Sequence, residues 1–206
     1  RRLETQVAEE RRKDLEKSVI FDPNTPRPSE RVAAKLDEIQ TRPAKSDEIK
    51  KEADTNRKRR IKEQSALTGI PENLLEEQFN REEAVRIRVP YKIEFFEGRS
   101  GEPFFEPRPE GSQFIIKINT SHSFYTEFYS RLIGRDPFAQ SGVELLLTLM
   151  GRAEVDAIGE KRAYYIEARN KLSNDLGQGM HMLSTELTST QSETNIDELL
   201  SNNPGE

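Results

Sequence analysis

Between residues 85 and 95 the sequence changes rhythm. Val85, Ile87, Val89, Tyr91, Ile93 and Phe95 alternate with Arg86, Arg88, Pro90, Lys92 and Glu94. Successive side chains of a strand point to opposite faces, so a period of two over this length predicts a half-buried β-strand. Pro90 has no N–H for a ladder, which places that strand at an edge or at a bulge. Gly98-Arg99-Ser100-Gly101 reads as a turn and Phe104-Phe105-Glu106 as a short strand. Pro107 to Ser112 supplies a second turn, and Phe114 to Ile118 a third strand. Three strands this close in sequence predict a small antiparallel sheet with helices on its apolar face.

The stretch Asn119 to Leu132 opens the helical part that follows. Thr120 or Ser121 can cap a helix, because a hydroxyl there accepts from the first free backbone N–H groups. Phe124, Phe128 and Leu132 then share one helical face. Gly134 suits a C-cap and Pro137 a new first turn. The helix after Pro137 carries Val143, Leu145, Leu146, Leu147, Leu149, Met150, Ala153 and Ile158. It is the most apolar stretch of the chain and is expected to be the buried central helix, with Leu146 and Phe128 in the core. Gly159 separates it from a helix bearing Tyr164, Tyr165, Ile166, Ala168, Leu172, Leu176 and Met180. Gly177-Gln178-Gly179 is expected to weaken or end that helix. Residues 188–206 are polar enough to predict a disordered tail, in which Ile196, Leu199 and Leu200 could form a short docking motif.

Upstream, residues 1–84 read as a charged helical arm with linkers. Residues 1–20 form one charged helical pattern. Pro23, Pro26 and Pro28 then impose an extended link. Ser29 is the expected cap of a short helix with Val32, Leu36 and Ile39 on one face, closed by Pro43. Ser46 begins a longer, very polar helix with a thin apolar face of Ile49, Ala53, Ile61 and Leu67. Pro71 can occupy the first turn of the next, which carries Leu74, Leu75, Phe79 and Ala84. The expected fold is therefore α+β: a charged N-terminal helical arm over 1–84, a compact body over 85–187 built of a small antiparallel sheet packed with three helices, and a tail over 188–206.

Charge follows the same division. Residues 1–68 hold 18 Lys and Arg against 14 Asp and Glu, a net of +4; the remainder holds 14 against 23, a net of −9. The run Arg57, Lys58, Arg59, Arg60 and Lys62 is the one nucleic-acid candidate, since clustered cations can neutralise phosphates and release counterions. Glu52, Asp54 and Glu63 oppose it, and no interleaved aromatic side chains offer base stacking. The chain has no Cys, which excludes disulfides, thiol catalysis and thiolate zinc sites and fits a reducing cytoplasm. No apolar run is long enough to span a bilayer, so no membrane role is expected. Arg1 stands where an initiator Met would be, which raises the expectation of a piece of a longer protein. His122 and His181 lack the spacing of metal ligands and read as structural. No P-loop, Rossmann fingerprint or nucleophile elbow occurs. Catalytic, metal and cofactor residues are accordingly expected to be absent.

From Val89 onward the order of features resembles the C-terminal region of bacterial GHKL-type ATPases, the superfamily of gyrase, MutL, the heat-shock chaperone and histidine kinases. The residues that carry the resemblance are Phe114-Ile115-Ile116-Lys117-Ile118-Asn119-Thr120, the signature Asn119-Thr120-Ser121-His122-Ser123-Phe124-Tyr125, and Glu144-Leu145-Leu146-Leu147. The helix with Tyr164-Tyr165 and the linker Lys35-Leu36-Asp37-Glu38-Ile39-Gln40-Thr41-Arg42-Pro43 are similar as well. Together these cover about half of the chain. That group usually has Pro after the His, where this chain has Ser123. The superfamily's magnesium-binding Asn and Asp-x-Gly-x-Gly are not recognisable, so no ATP-site residue carries over. The resemblance implies a non-catalytic C-terminal module of a larger ATP-binding protein that dimerises or contacts a protein partner. The alternative is a nucleic-acid-binding protein that uses the basic run.

Overall fold

The computed structural model describes residues 25–40 and 46–201, with side chains to residue 187. The expected helix over 1–20, Pro43 and the side chains of Ile196, Leu199 and Leu200 lie outside the described residues. In chain order the elements are α1 (Pro28–Ile39), α2 (Asp47–Thr68), α3 (Glu72–Val85), β1 (Tyr91–Phe96), β2 (Phe105–Glu110) and β3 (Gln113–Asn119). A π-helix (Phe124–Tyr129) leads into the short α4 (Ser130–Leu132), and α5 (Pro137–Asp156) and α6 (Glu160–Ser201) complete the fold. The architecture is α+β, as the residue patterns predict.

The sheet is mixed, not antiparallel. Its order is β1-β3-β2, with β3 parallel to β1 and antiparallel to β2. Tyr91 pairs with Phe114 at one end of β1 and Phe96 with Asn119 at the other. The reason lies in composition. β3 is buried on both faces, as the unbroken run Phe114-Ile115-Ile116 demands, and a strand buried on both faces belongs in the centre. Pro107 and Pro109 in β2 and Pro90 just before β1 cannot donate, so those strands take the edges. The two-residue turn Gly111-Ser112 folds β3 back beside β2, with Gly111 at φ +55°.

β1 also begins later than its alternation suggests. Helix α3 continues through Val85, and Val85 and Ile87 are exposed while Arg86 is buried. Arg86 Nη1 donates to Glu30 Oε2 at 3.0 Å and to the Tyr91 carbonyl at 3.0 Å. The alternation is real from Tyr91 onward; upstream it coincides with the end of a helix.

Around the sheet, α2 and α5 pack on β2, α1 packs on α5 and β1, and α6 packs on α5 and the π-helix. The core joins Tyr91, Ile93, Phe104, Phe105, Phe114, Ile116, Ile118, Phe124, Tyr125 and Tyr129 to Leu147 and Val155. Leu146 is not part of it: it is 56% exposed, while Leu147 is 2% exposed. On α5 the inward face carries Glu144, Leu147, Thr148, Gly151 and Val155, so the buried stripe is one position out of step with the richest apolar run. Glu144 can turn inward because four groups satisfy it. Arg27 Nη1 donates at 2.6 Å, Ser29 Oγ at 2.5 Å, Tyr129 OH at 2.7 Å and Gln140 Nε2 at 3.1 Å. Burial beside this carboxylate pushes the Tyr129 hydroxyl pKa well above its usual value. Ser29 thus serves Glu144, and the position expected as the cap of α1 is taken by Arg27.

The segment after Asn119 winds as a π-helix, where an α-helical stripe was expected. Phe124, Tyr125 and Tyr129 turn inward and Phe128 is half-buried. The wider π turn brings residues five apart over one another, so Tyr129 takes the inward place that α winding would give Phe128. Helix α6 passes through Gly177 and Gly179 without ending and continues across the residues read as tail, as far as Ser201.

Candidate protein-interaction surface

The basic run sits on α2, which Ser46 caps by accepting from the Ile49 N–H at 3.3 Å. Its five cations divide into two groups. Arg57 turns toward α3 and pairs with Glu83 and Asn80. Arg60 turns toward the sheet and donates to Glu94 at 2.9 Å and Glu110 at 3.0 Å, with its guanidinium 5.1 Å from the Phe79 ring centre. Burial opposes the charge on Arg60, yet Glu94 and Glu110 hold its pKa above the ordinary arginine value. Burial likewise works against Glu94, whose carboxyl Lys92 and Arg60 nevertheless hold below the usual range. Lys58, Arg59 and Lys62 remain exposed, and Arg59 donates to Asn56 at 3.1 Å on its own helix. The run is therefore split between internal ion pairs and a solvent face.

The signature at the end of β3 is a buried scaffold. Asn119 Oδ1 accepts from the N–H groups of Ser121 (3.0 Å) and Gly98 (3.2 Å), which fixes the turn out of β3. His122 Nδ1 accepts from the Phe124 N–H at 3.0 Å, so its other nitrogen carries the proton and donates to the Ser173 carbonyl at 3.1 Å. Ser123 Oγ donates to the Gly177 carbonyl at 3.0 Å, and Ser173 Oγ accepts from the Phe104 N–H at 2.8 Å. His122 thus caps the backbone, a structural role, and with Ser123 it clamps α6 to the body. Two ion pairs fasten the first turns of α6: Arg162 to Glu52 at 2.6 Å and Arg169 to Glu154 at 2.7 Å.

That clamp uses one face of α6 only. The inward line runs through Arg162, Tyr165, Arg169, Ser173, Leu176, Met180 and Ser184, all buried or half-buried. Beside it a second line stays in solvent: Tyr164 (67% exposed), Ala168, Leu172 (41%), Gly179, Leu183 (52%) and Leu187 (54%). Isolated exposed apolar residues such as Leu67 or Ile39 need no account, whereas several recurring along one helix make it the candidate interaction surface. The sequence contains this line. Its signal is the recurrence at steps of four and seven, which the stronger inward line masks when the helix is read as one apolar pattern.

Concavities among the described residues lie away from α6. A partly open cavity of about 200 Å³ lies among Ile49, Pro90, Tyr91, Pro109, Ser112, Phe114, Val155 and Asp156. It falls below the roughly 300–1,000 Å³ usual for small-molecule sites. An open groove of about 600 Å³ runs along α3, lined by Ile70, Leu74, Gln78, Arg81, Glu82 and Val85. Among the described residues no group of His, Asp and Glu is arranged to hold a metal ion, and no helix is long and apolar enough to cross a membrane. Comparison with protein-family models, curated proteins and solved structures gives no match for this chain.

Proposed function

We propose that this chain is a non-catalytic protein-interaction module that engages its partner through the exposed line on α6, as the C-terminal part of a larger GHKL-like ATP-binding protein in the cytoplasm. The observation that carries the interaction reading is the asymmetry of α6. One face is fixed by a buried His122, two ion pairs and Ser123, while Tyr164, Leu172, Leu183 and Leu187 lie open on a helix about 63 Å long. Holding an apolar helix face in water is unfavourable by roughly 25 cal/mol for each Å² that a partner could cover. The link to a GHKL-like protein rests on the signature from Asn119 to Tyr125. The nucleic-acid alternative loses Arg57 and Arg60 to Glu83, Glu94 and Glu110, which leaves Lys58, Arg59 and Lys62 to hold phosphates.

A photo-crosslinking side chain placed at Leu172 and at Leu183, in the full protein in its native cells, tests the reading. Discrete adducts are expected at both positions and not at Ile39 and Leu67, which are more exposed still. Absence of adducts on α6, or the same adducts at the control sites, would overturn it.

A further inference from the structure

The cavity between the sheet and the ends of α2 and α5 has a floor of rings. Pro109, Phe114 and Tyr91 are direct neighbours across the three strands, so their side chains stand on one face of the sheet. All three are buried, and the Phe114 and Tyr91 rings meet edge to face with centres 5.7 Å apart. Tyr91 OH donates to Asp37, so the cavity meets the ring of this tyrosine while its hydroxyl is engaged elsewhere. Ile49, from the first turn of α2, and Val155, from the last turn of α5, add buried apolar walls.

These walls are held apart by backbone bonds. Asn56 Nδ2 donates to the Pro109 carbonyl at 2.9 Å, the Gly111 N–H to the Ala53 carbonyl at 3.2 Å, and the Phe114 N–H to the Pro90 carbonyl at 2.7 Å. The rings of Pro90 and Pro109 are rigid as well. The space therefore cannot close by a local shift, although protein interiors leave few voids larger than a water molecule. Water fills it poorly, because each molecule needs two to four polar partners and the floor and walls offer hydrocarbon.

Polar groups stand at one end only. Ser112 is the exposed member of the lining and marks where the cavity meets solvent. Its hydroxyl and the Asp156 carboxylate both carry oxygens that can accept from an N–H or O–H. We propose that this cavity binds a small, uncharged, flat aromatic ring bearing one N–H or O–H donor, the class of indole and phenol. The ring lies on Pro109, Phe114 and Tyr91, and the donor faces Ser112 and Asp156. At about 200 Å³ the space is too small for a drug-sized molecule yet exceeds the roughly 150 Å³ apolar cavity that admits benzene. A full charge on the ring would be buried against hydrocarbon without a partner, which excludes ionic ligands. This site is independent of the contact proposed for α6.

The chain has no Trp, so the fluorescence of added indole reports the ligand alone. Titration of the purified full chain is expected to show saturable binding, with indole emission shifted to shorter wavelength and the thermal midpoint of the protein raised. Nuclear Overhauser contacts are expected from bound indole to the methyl groups of Ile49 and Val155. Ser112→Phe puts a ring at the mouth from an exposed turn position. It should leave the ligand-free melt unchanged and weaken binding by about tenfold or more. No saturable binding up to the solubility limit of indole overturns the inference. So does bound indole without contacts to Ile49 and Val155, or a smaller loss in a folded Ser112→Phe, since the ligand would then lie elsewhere.

Discussion

His122 holds two elements together with one ring. Nδ1 takes the Phe124 N–H and Nε2 gives its proton to Ser173, so the neutral ring is the form that fits. Burial holds its pKa below the ordinary histidine value despite the hydrogen bond to Ser173. The unfolded chain therefore binds this proton more readily. Its contribution is fully present above about pH 6.5 and is lost as pH falls from there toward the depressed native value. Thermal melts between about pH 7.5 and about pH 5.5 should show wild type losing more stability than His122→Gln, which lacks the titrating group. Equal losses would mean that the ring is not held as neutral. Leu146 and Leu147 give a second test at this scale. Leu147→Ala should cost roughly 2–5 kcal/mol in denaturant melts, as expected for a filled core position. Leu146→Ala should stay within about 0.5 kcal/mol.

At the scale of elements, α2 shows how a charged helix can be structural. Arg60→Gln leaves Glu94 and Glu110 without their shared cation and should cost about 1–3 kcal/mol. Changing Lys58, Arg59 and Lys62 together to Gln should shift stability by only a few tenths of a kcal/mol per site and leave duplex affinity unaltered across salt. A strong, salt-sensitive affinity that the triple variant loses would restore the nucleic-acid reading. Two helix glycines are expected to respond with opposite signs. A Cβ on Gly151 would come within 2.7 Å of Ile116 Cδ1 and of Pro107 Cβ, so Gly151→Ala should destabilise by about 1–3 kcal/mol. Gly179→Ala meets open space and should stabilise the fold by up to about 1 kcal/mol. The helices were legible where local chemistry marks them, as at Ser46 and at Pro137. The central place of β3 was also legible, in the run Phe114-Ile115-Ile116 and in the prolines of β2. What sequence hid was polar burial. Glu144 turns inward to meet Arg27 and Ser29, more than a hundred residues away, and the local apolar pattern carries no trace of such partners. The π turn was hidden for a related reason: it changes which of Phe128 and Tyr129 faces inward while the apolar residues stay the same.

For the whole molecule, α6 is a strut of the body and, in the function proposed above, also its point of contact. The inward line through Ser173 and Leu176 fastens it, and the line through Leu172 and Leu183 faces outward. The hydrogen bonds and ion pairs that fasten the inner line involve neither Leu172 nor Leu183, so charge at those two positions is expected to spare the clamp. The measurement that tests this most directly is photo-crosslinking in native cells from a reactive side chain at Tyr164, in the wild-type background and in Leu172→Lys/Leu183→Lys. The wild-type background is expected to give discrete adducts, while the variant background loses them and melts within about 1 kcal/mol of wild type. A variant that keeps the wild-type adducts would contradict the proposed function, and so would one that unfolds, since the outer line would then belong to the core.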